Sequence, residues 1–170
     1  NRKHIPIKIG VGLNTGDCCV GNMGADQRFN YSVLGDDVNL ASRLEGQSKP
    51  YGVGVVIGPR TKEQATGYAV LELDLIKVKG KTRPVNIYAL LGRKAVLDSP
   101  EFKSQEEKHN RMLSAYRGQN WNEAAGLLAE CRGMAFDLKT LYDIYEERIK
   151  TFQAAPPPRD WDGTFTATSK

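Results

Sequence analysis

The chain has 170 residues, of which 40% are apolar and 26% charged, enough to bury a core in one or two small domains. No apolar run approaches the ~20 residues of a membrane span, and no signal-peptide core is present. The net charge of +4 lies wholly in residues 1–92, with 12 Lys and Arg against 8 Asp and Glu; it would suit an anionic small molecule such as a nucleoside polyphosphate, but on charge alone solubility is the simpler reading. No basic cluster is interleaved with aromatics, which argues against a nucleic-acid surface.

In chain order, Ile5, Ile7, Ile9, Val11 and Leu13 alternate with polar or small residues, the pattern of a strand with one buried face. Gly10 and Gly12 within it are read as close packing, since no dinucleotide spacing or Walker lysine accompanies them. Gly16-Asp17 marks a turn, Cys18-Cys19-Val20 a short returning strand, and Gly21-Asn22-Met23-Gly24 its break. Phe29, Tyr31 and Val33 alternate as the next strand, stopping at Gly35. Asp36 and Asp37 then fall where helix N-caps belong, ahead of a helix through Val38–Glu45. A strand over 54–58, a short helix from Pro59, and a hairpin of 68–77 with 84–91 follow. Strands separated by single helices predict an α+β architecture.

From Ser99 the pattern becomes helical. Phe102, Glu106, His109, Leu113 and Tyr116 recur at helical spacing, a second helix over 121–131 turns Ala124, Leu127 and Leu128 inward, and a third covers 138–152. The first two resemble one tetratricopeptide-type hairpin, too small to make an array and expected to bury its apolar face elsewhere. Pro156-Pro157-Pro158 stiffens a tail holding Trp161-Asp162-Gly163. Cys18 and Cys19 are adjacent and Cys131 is distant, a pattern without metal spacing that suggests a reducing compartment. His4 and His109 are read as single residues with no role as ligand or base.

The chemistry centres on residues 31–45, Tyr-Ser-Val-Leu-Gly-Asp-Asp-Val-Asn-Leu-Ala-Ser-Arg-Leu-Glu. At ~100° per residue, Leu40, Ala41 and Leu44 share one face of the helix while Asn39 and Arg43 stand one turn apart on another. An amide beside a guanidinium suits phosphate oxygens. On the helix alone, a solvated face with Arg43 paired to Glu45 or another carboxylate is the simpler reading.

The flanking residues change that balance. The stretch resembles the class III adenylyl and guanylyl cyclases, whose signature here is close to Y-x-V-x-G-D-x-V-N-x-A-S-R-x-E. The likeness extends upstream through Gly-Val-Gly-Leu-Asn-Thr-Gly and Val-Gly-Asn-Met-Gly, and downstream through Val78-Lys79-Gly80-Lys81 to Val85-Asn86-Ile87-Tyr88, roughly residues 5–92. It implies a C-terminal portion of a ferredoxin-like cyclase domain over 1–92; the helical spacing and prolines behind it give a helical extension over 93–155 with one tetratricopeptide-like hairpin and a Pro-rich tail over 156–170.

The resemblance further implies an adenylate cyclase, converting ATP to 3′,5′-cyclic AMP and pyrophosphate. Asn39 and Arg43 would stabilise the pentavalent phosphorus, and Lys79 would grip the terminal phosphates with Lys81 as a helper. Ser32 stands at the purine-selecting position, where Asp is commoner in adenylyl cyclases, Cys is frequent in guanylyl cyclases, and Ser or Thr marks a bacterial adenylyl subgroup. Ser32 with the Val33 carbonyl fits adenine. Two divalent ions, Mg or Mn, are implied, their Asp ligands expected upstream of Asn1 in a longer parent; Asp36 and Asp37 are read as helix-start residues. The parent is expected to be a cytoplasmic, head-to-tail homodimer, with any membrane anchor in another region, and the 170 residues alone to be inactive. The alternatives are a guanylate cyclase and a non-catalytic cyclase-homology dimerisation or regulatory module. Retention of both Asn39 and Arg43 argues against the last.

Overall fold

The computed structural model describes residues 7–25, 28–77 and 83–166. Thirteen elements fall within them: β1 (Val11–Leu13), β2 (Cys19–Ala25), β3 (Arg28–Leu34), α1 (Asp36–Tyr51), β4 (Val55–Ile57), α2 (Pro59–Gln64), β5 (Tyr68–Lys77), β6 (Val85–Arg93), α3 (Lys94–Leu97), α4 (Pro100–Arg117), α5 (Trp121–Arg132), α6 (Lys139–Ala154) and β7 (Phe165–Thr166). A mixed five-stranded sheet has the order β1-β4-β6-β5-β7, and β2 pairs with β3 in a separate ribbon. The α+β expectation is met.

Three local expectations need correction. Among the described residues the first strand is only Val11–Leu13, because its partner β4 offers three residues for pairing; Ile7 and Ile9 stand exposed rather than on a buried face, and Ile5 lies outside the described residues. The glycine-rich segment after Val20 does not break the strand. Each residue from Cys19 to Ala25 pairs with one from Leu34 back to Arg28, so the antiparallel partner overrides the weak strand preference of glycine. The cap of α1 is Gly35, with Asp36 and Asp37 in the first helical turn. There their charges complement the helix dipole, an effect of about 0.3–1 kcal/mol each.

Helix α1 continues past Glu45 to Tyr51 and buries Leu40, Leu44, Ser48 and Tyr51, spaced i, i+4, i+8 and i+11 along one face. It ends at Gly52, whose φ of 71° is a left-handed conformation suited to glycine. On its other side β1 approaches closely: a Cβ on Gly12 would lie 2.2 Å from the Ala41 carbonyl oxygen and 2.3 Å from the Glu45 nitrogen. The close-packing reading of Gly12 therefore has a direct cause.

Helix α4 begins as expected at Ser99, whose hydroxyl accepts from the Phe102 amide at 3.2 Å, a standard N-cap. Ala124, Leu127, Leu128 and Cys131 turn inward from α5. One cluster of buried side chains runs without interruption from Leu40 and Leu44 of α1, through Val56, Leu71, Leu73, Ile76 and Ile87 of the sheet, to Met112, Leu141 and Tyr145. Burying each such side chain contributes roughly 1.5–3 kcal/mol. The tail also joins this packing. Trp161 lies against the rings of Tyr116, Trp121 and Phe152, and Phe165–Thr166 adds to the sheet edge parallel to Ile76–Lys77.

Candidate phosphate-facing site

The candidate residues gather where β3 runs into α1. Ser32 is half-buried and sits opposite Gly21 in the ribbon; Val33 sits opposite Val20. With the strand's alternation, Val33, Val20 and Tyr31 share one face, and Ser32 lies on the other with Leu34 and Cys19. Only Gly35 separates β3 from α1. Asn39 is exposed one turn into the helix, and Arg43, half-buried, follows one turn later, about 6 Å further along the axis.

Arg43 forms no ion pair with a described carboxylate, and its Nη1 is buried with no hydrogen-bond partner among the described residues. Buried donors are ordinarily satisfied, and an orphan carries a desolvation cost of about 1–3 kcal/mol. Arg43 is thus a charged donor with spare hydrogen-bonding capacity, one turn from the exposed amide of Asn39. The nearest helix position, Leu44, is fully buried and anchors the turn from which Arg43 projects.

The start of α1 is held by the loop after β1. Asn14 Nδ2 donates to the Asp37 carbonyl oxygen at 3.1 Å and to Asp37 Oδ1 at 2.9 Å. Arg60 Nη1 stands 3.8 Å from Asp37 Oδ2. A Cβ on Gly16 would fall 1.8 Å from Asp37 Oδ2, so the loop closes over this carboxylate only because residue 16 has no side chain. Asp37 is thus a structural anchor of the helix. Sequence reasoning placed it at the helix start but missed Asn14, because the bond spans 23 positions and no local pattern signals it.

Lys79 and Lys81 lie outside the described residues, as does His4. Among the described residues, no group of three or more His, Cys, Asp or Glu side chains could hold a metal ion, and no helix is long and apolar enough to cross a membrane. His109 is buried within the structure: Nε2 donates to the Glu72 carbonyl oxygen at 2.6 Å, and the ring packs on Tyr142. Burial pushes its pKa down to about 4, against the opposing effect of that hydrogen bond. It has partners that the sequence did not reveal, and they are structural. A cleft of about 480 Å³ lies elsewhere, between the sheet and α4, lined by Lys62, Glu72, Tyr88, Glu106 and Arg117. The Arg117–Glu72 pair, 2.5 Å apart, satisfies its principal charges, and none of Ser32, Val33, Asn39 or Arg43 lines it.

Residues 1–92 match the family described as Adenylate and Guanylate cyclase catalytic domain. The chain is 38% identical over 82 residues to Adenylate cyclase 1 of Rhizobium meliloti, covering 48% of this chain and 12% of that protein. It is 35% identical over 86 residues to Soluble guanylate cyclase 89Db of Drosophila melanogaster, covering 51% and 13% respectively. Among solved structures, the adenylyl cyclase CyaB from P. aeruginosa is 42% identical, with a TM-score of 0.42, over 47% of this chain and 40% of that one. The chain therefore spans only a small fraction of the length of these curated relatives.

Proposed function

Since the chain belongs to the adenylate and guanylate cyclase catalytic-domain family, we propose that it contributes the phosphate-facing side of an adenylate cyclase site. The reaction is formation of 3′,5′-cyclic AMP from ATP. The ribose 3′-oxygen bonds to the α-phosphorus, the bond from that phosphorus to the bridging oxygen breaks, and pyrophosphate departs with the electron pair while the hydroxyl proton is released. Charge builds on the non-bridging oxygens in passing, and positioned donors meet it. Arg43 and Asn39 take that role. Ser32 and the Val33 carbonyl bind the adenine edge, and Lys79 binds the terminal phosphates.

The observation that carries this reading is the Arg43 guanidinium, with a buried Nη1 that has no partner among the described residues, one turn beyond an exposed Asn39. Two divalent ions, Mg²⁺ or Mn²⁺, would supply Lewis-acid polarisation of the phosphates in such a reaction. The described residues of this chain do not fit them, because no metal-holding cluster is present among them and Asp37 is engaged by Asn14 and Arg60. The head-to-tail homodimer of the parent protein belongs to the same proposal, with metal ligands supplied by residues other than those described.

The test is turnover of ATP and GTP by the parent protein and its Asn39→Ala and Arg43→Ala variants, the 170 residues alone being expected to be inactive. We expect cyclic AMP as the main product and a fall in kcat of about 10²–10³ for either variant, with KM changed far less. Unaltered kcat in Arg43→Ala would overturn the assignment. Similarity to guanylate cyclases as well as adenylate cyclases keeps a second reading open, and preferential turnover of GTP would select it. Absence of turnover with either nucleotide would favour the non-catalytic module.

A further inference from the structure

The far end of α1 is tied to the C-terminal helices by a buried polar cluster that the phosphate-facing site does not use. Tyr51, the last residue of α1, donates its hydroxyl to Asp74 Oδ2 at 2.6 Å. Arg148 of α6 donates Nη1 to the same oxygen at 2.6 Å, and its Nη2 lies 3.4 Å from the Tyr51 hydroxyl. Asp74 Oδ1 accepts from the Leu75 amide at 2.8 Å and from Tyr145 at 3.2 Å, and the Tyr145 hydroxyl also reaches the Leu73 carbonyl oxygen at 2.8 Å. Asp74 and Arg148 are 1% and 8% exposed.

Asp74 faces inward because β5 is irregular between Glu72 and Asp74. The buried positions shift there from Ala69, Leu71 and Leu73 to Asp74 and Ile76. The tail closes the cluster: the Phe165 ring stacks on the Arg148 guanidinium at 3.5 Å. A second contact brings α6 to the turn after α1, where a Cβ on Gly52 would lie 2.6 Å from Thr140 Cβ.

We propose that Tyr51, Asp74 and Arg148 are positioning residues for the phosphate-facing helix, and that the tail segment at Phe165 locks Arg148 in place. The inference rests on the reading of Arg43 and Asn39 as phosphate donors. Its physical basis is leverage on a rigid rod. Tyr51 lies eight residues beyond Arg43, about 12 Å along one continuous helix. The rod is held at one end by Asn14 on Asp37 and at the other by Asp74 and Arg148 on Tyr51. Releasing either end lets the donors move relative to the ribbon, and a misplacement of about 1 Å at a reacting centre is enough to lower a rate ~100-fold. The helices after residue 93 are then part of the catalytic unit through their grip on α1.

Two mild substitutions in the full protein test this. Tyr51→Phe keeps the ring and removes the hydroxyl between Asp74 and Arg148; Phe165→Ala removes the lid on the guanidinium. At a temperature where circular dichroism shows each protein fully folded, kcat for the cyclase reaction should fall about tenfold or more while KM for ATP stays within about twofold. Amide hydrogen exchange should quicken within α1 and leave α4 and α5 unchanged. A purely structural cluster would instead leave kcat of the folded protein unaltered or quicken exchange everywhere, and either result overturns the proposal. If the unmodified protein turns over neither ATP nor GTP, the catalytic reading fails by itself. The exchange measurement then decides whether the cluster holds α1: selective acceleration supports that grip, and none or a uniform one overturns it.

Discussion

On the β2–β3 ribbon Val20, Tyr31, Val33 and Leu34 stand 44–77% exposed, whereas across the sheet Leu71, Phe102, Leu141 and Tyr145 are fully enclosed. Charged groups differ in the same sense, though neutral ones do not. At the front, Arg43 keeps a buried Nη1 without a partner among the described residues; at the back, both oxygens of Asp74 are engaged by donors, while Gln105 Oε1, His109 Nδ1, the Tyr116 hydroxyl and Thr164 Oγ1 are buried without partners there too. On the proposed reading the orphaned Arg43 donor is left for a ligand, and the surrounding core supplies the free energy that tolerates it.

The comparison is broken most forcefully at Asp74. Asp74→Ala strips the buried Arg148 of its carboxylate, and removing one partner of a buried pair typically costs about 3–5 kcal/mol. Asn39→Ala, at the exposed front, should change stability by no more than about 0.5 kcal/mol. Urea unfolding of both variants measures the gap. A loss below about 1 kcal/mol for Asp74→Ala would mean that the back is not the stabilising region.

A smaller effect should follow from pH at His109. Its pKa in the folded protein is about 4, below the ordinary 6.5, because burial disfavours the charged ring. The unfolded chain therefore binds more protons between these values, and stability must fall as the pH drops from 6.5 towards 4, then level off. The gap corresponds to about 3 kcal/mol. Carboxylates paired with cations also lose stability on acidification, so the comparison is between the wild type and His109→Gln. The variant should lack the His109 share of the loss, and parallel curves above pH 4 would refute it.

How much was legible beforehand follows the range of the interactions. The inward face of α1 at Leu40 and Leu44, the 68–77 hairpin strand and the start of α4 at Ser99 are set by spacing and capping within a few residues, and all appear in the structure. The placement of Asn39 and Arg43 one turn apart on α1 was legible for the same reason. What escaped depends on distant partners. Asp74 is turned inward by the irregularity in β5, which no local pattern signals. The strand at Phe165–Thr166 has no apolar run of its own and exists because the edge of β5 is open to it. The Asn14–Asp37 clasp and the His109 bond to Glu72 likewise join positions far apart in the chain.

The smallest effect tests the front most directly. Arg43 contributes a buried donor with no acceptor among the described residues, so its guanidinium should weaken the folded state when no ligand is bound. Arg43→Met keeps the length and apolar contacts of the stem while removing the orphaned N–H groups. The expected result is a gain in stability of about 0.5–1 kcal/mol, read as a rise in the urea midpoint at constant slope, together with loss of turnover. A gain in stability paired with a loss of activity is the signature of a residue retained for its ligand. If Arg43→Met instead destabilised the protein by about 1 kcal/mol or more, the guanidinium would be holding the fold together. The front would then be organised by the same principle as the back.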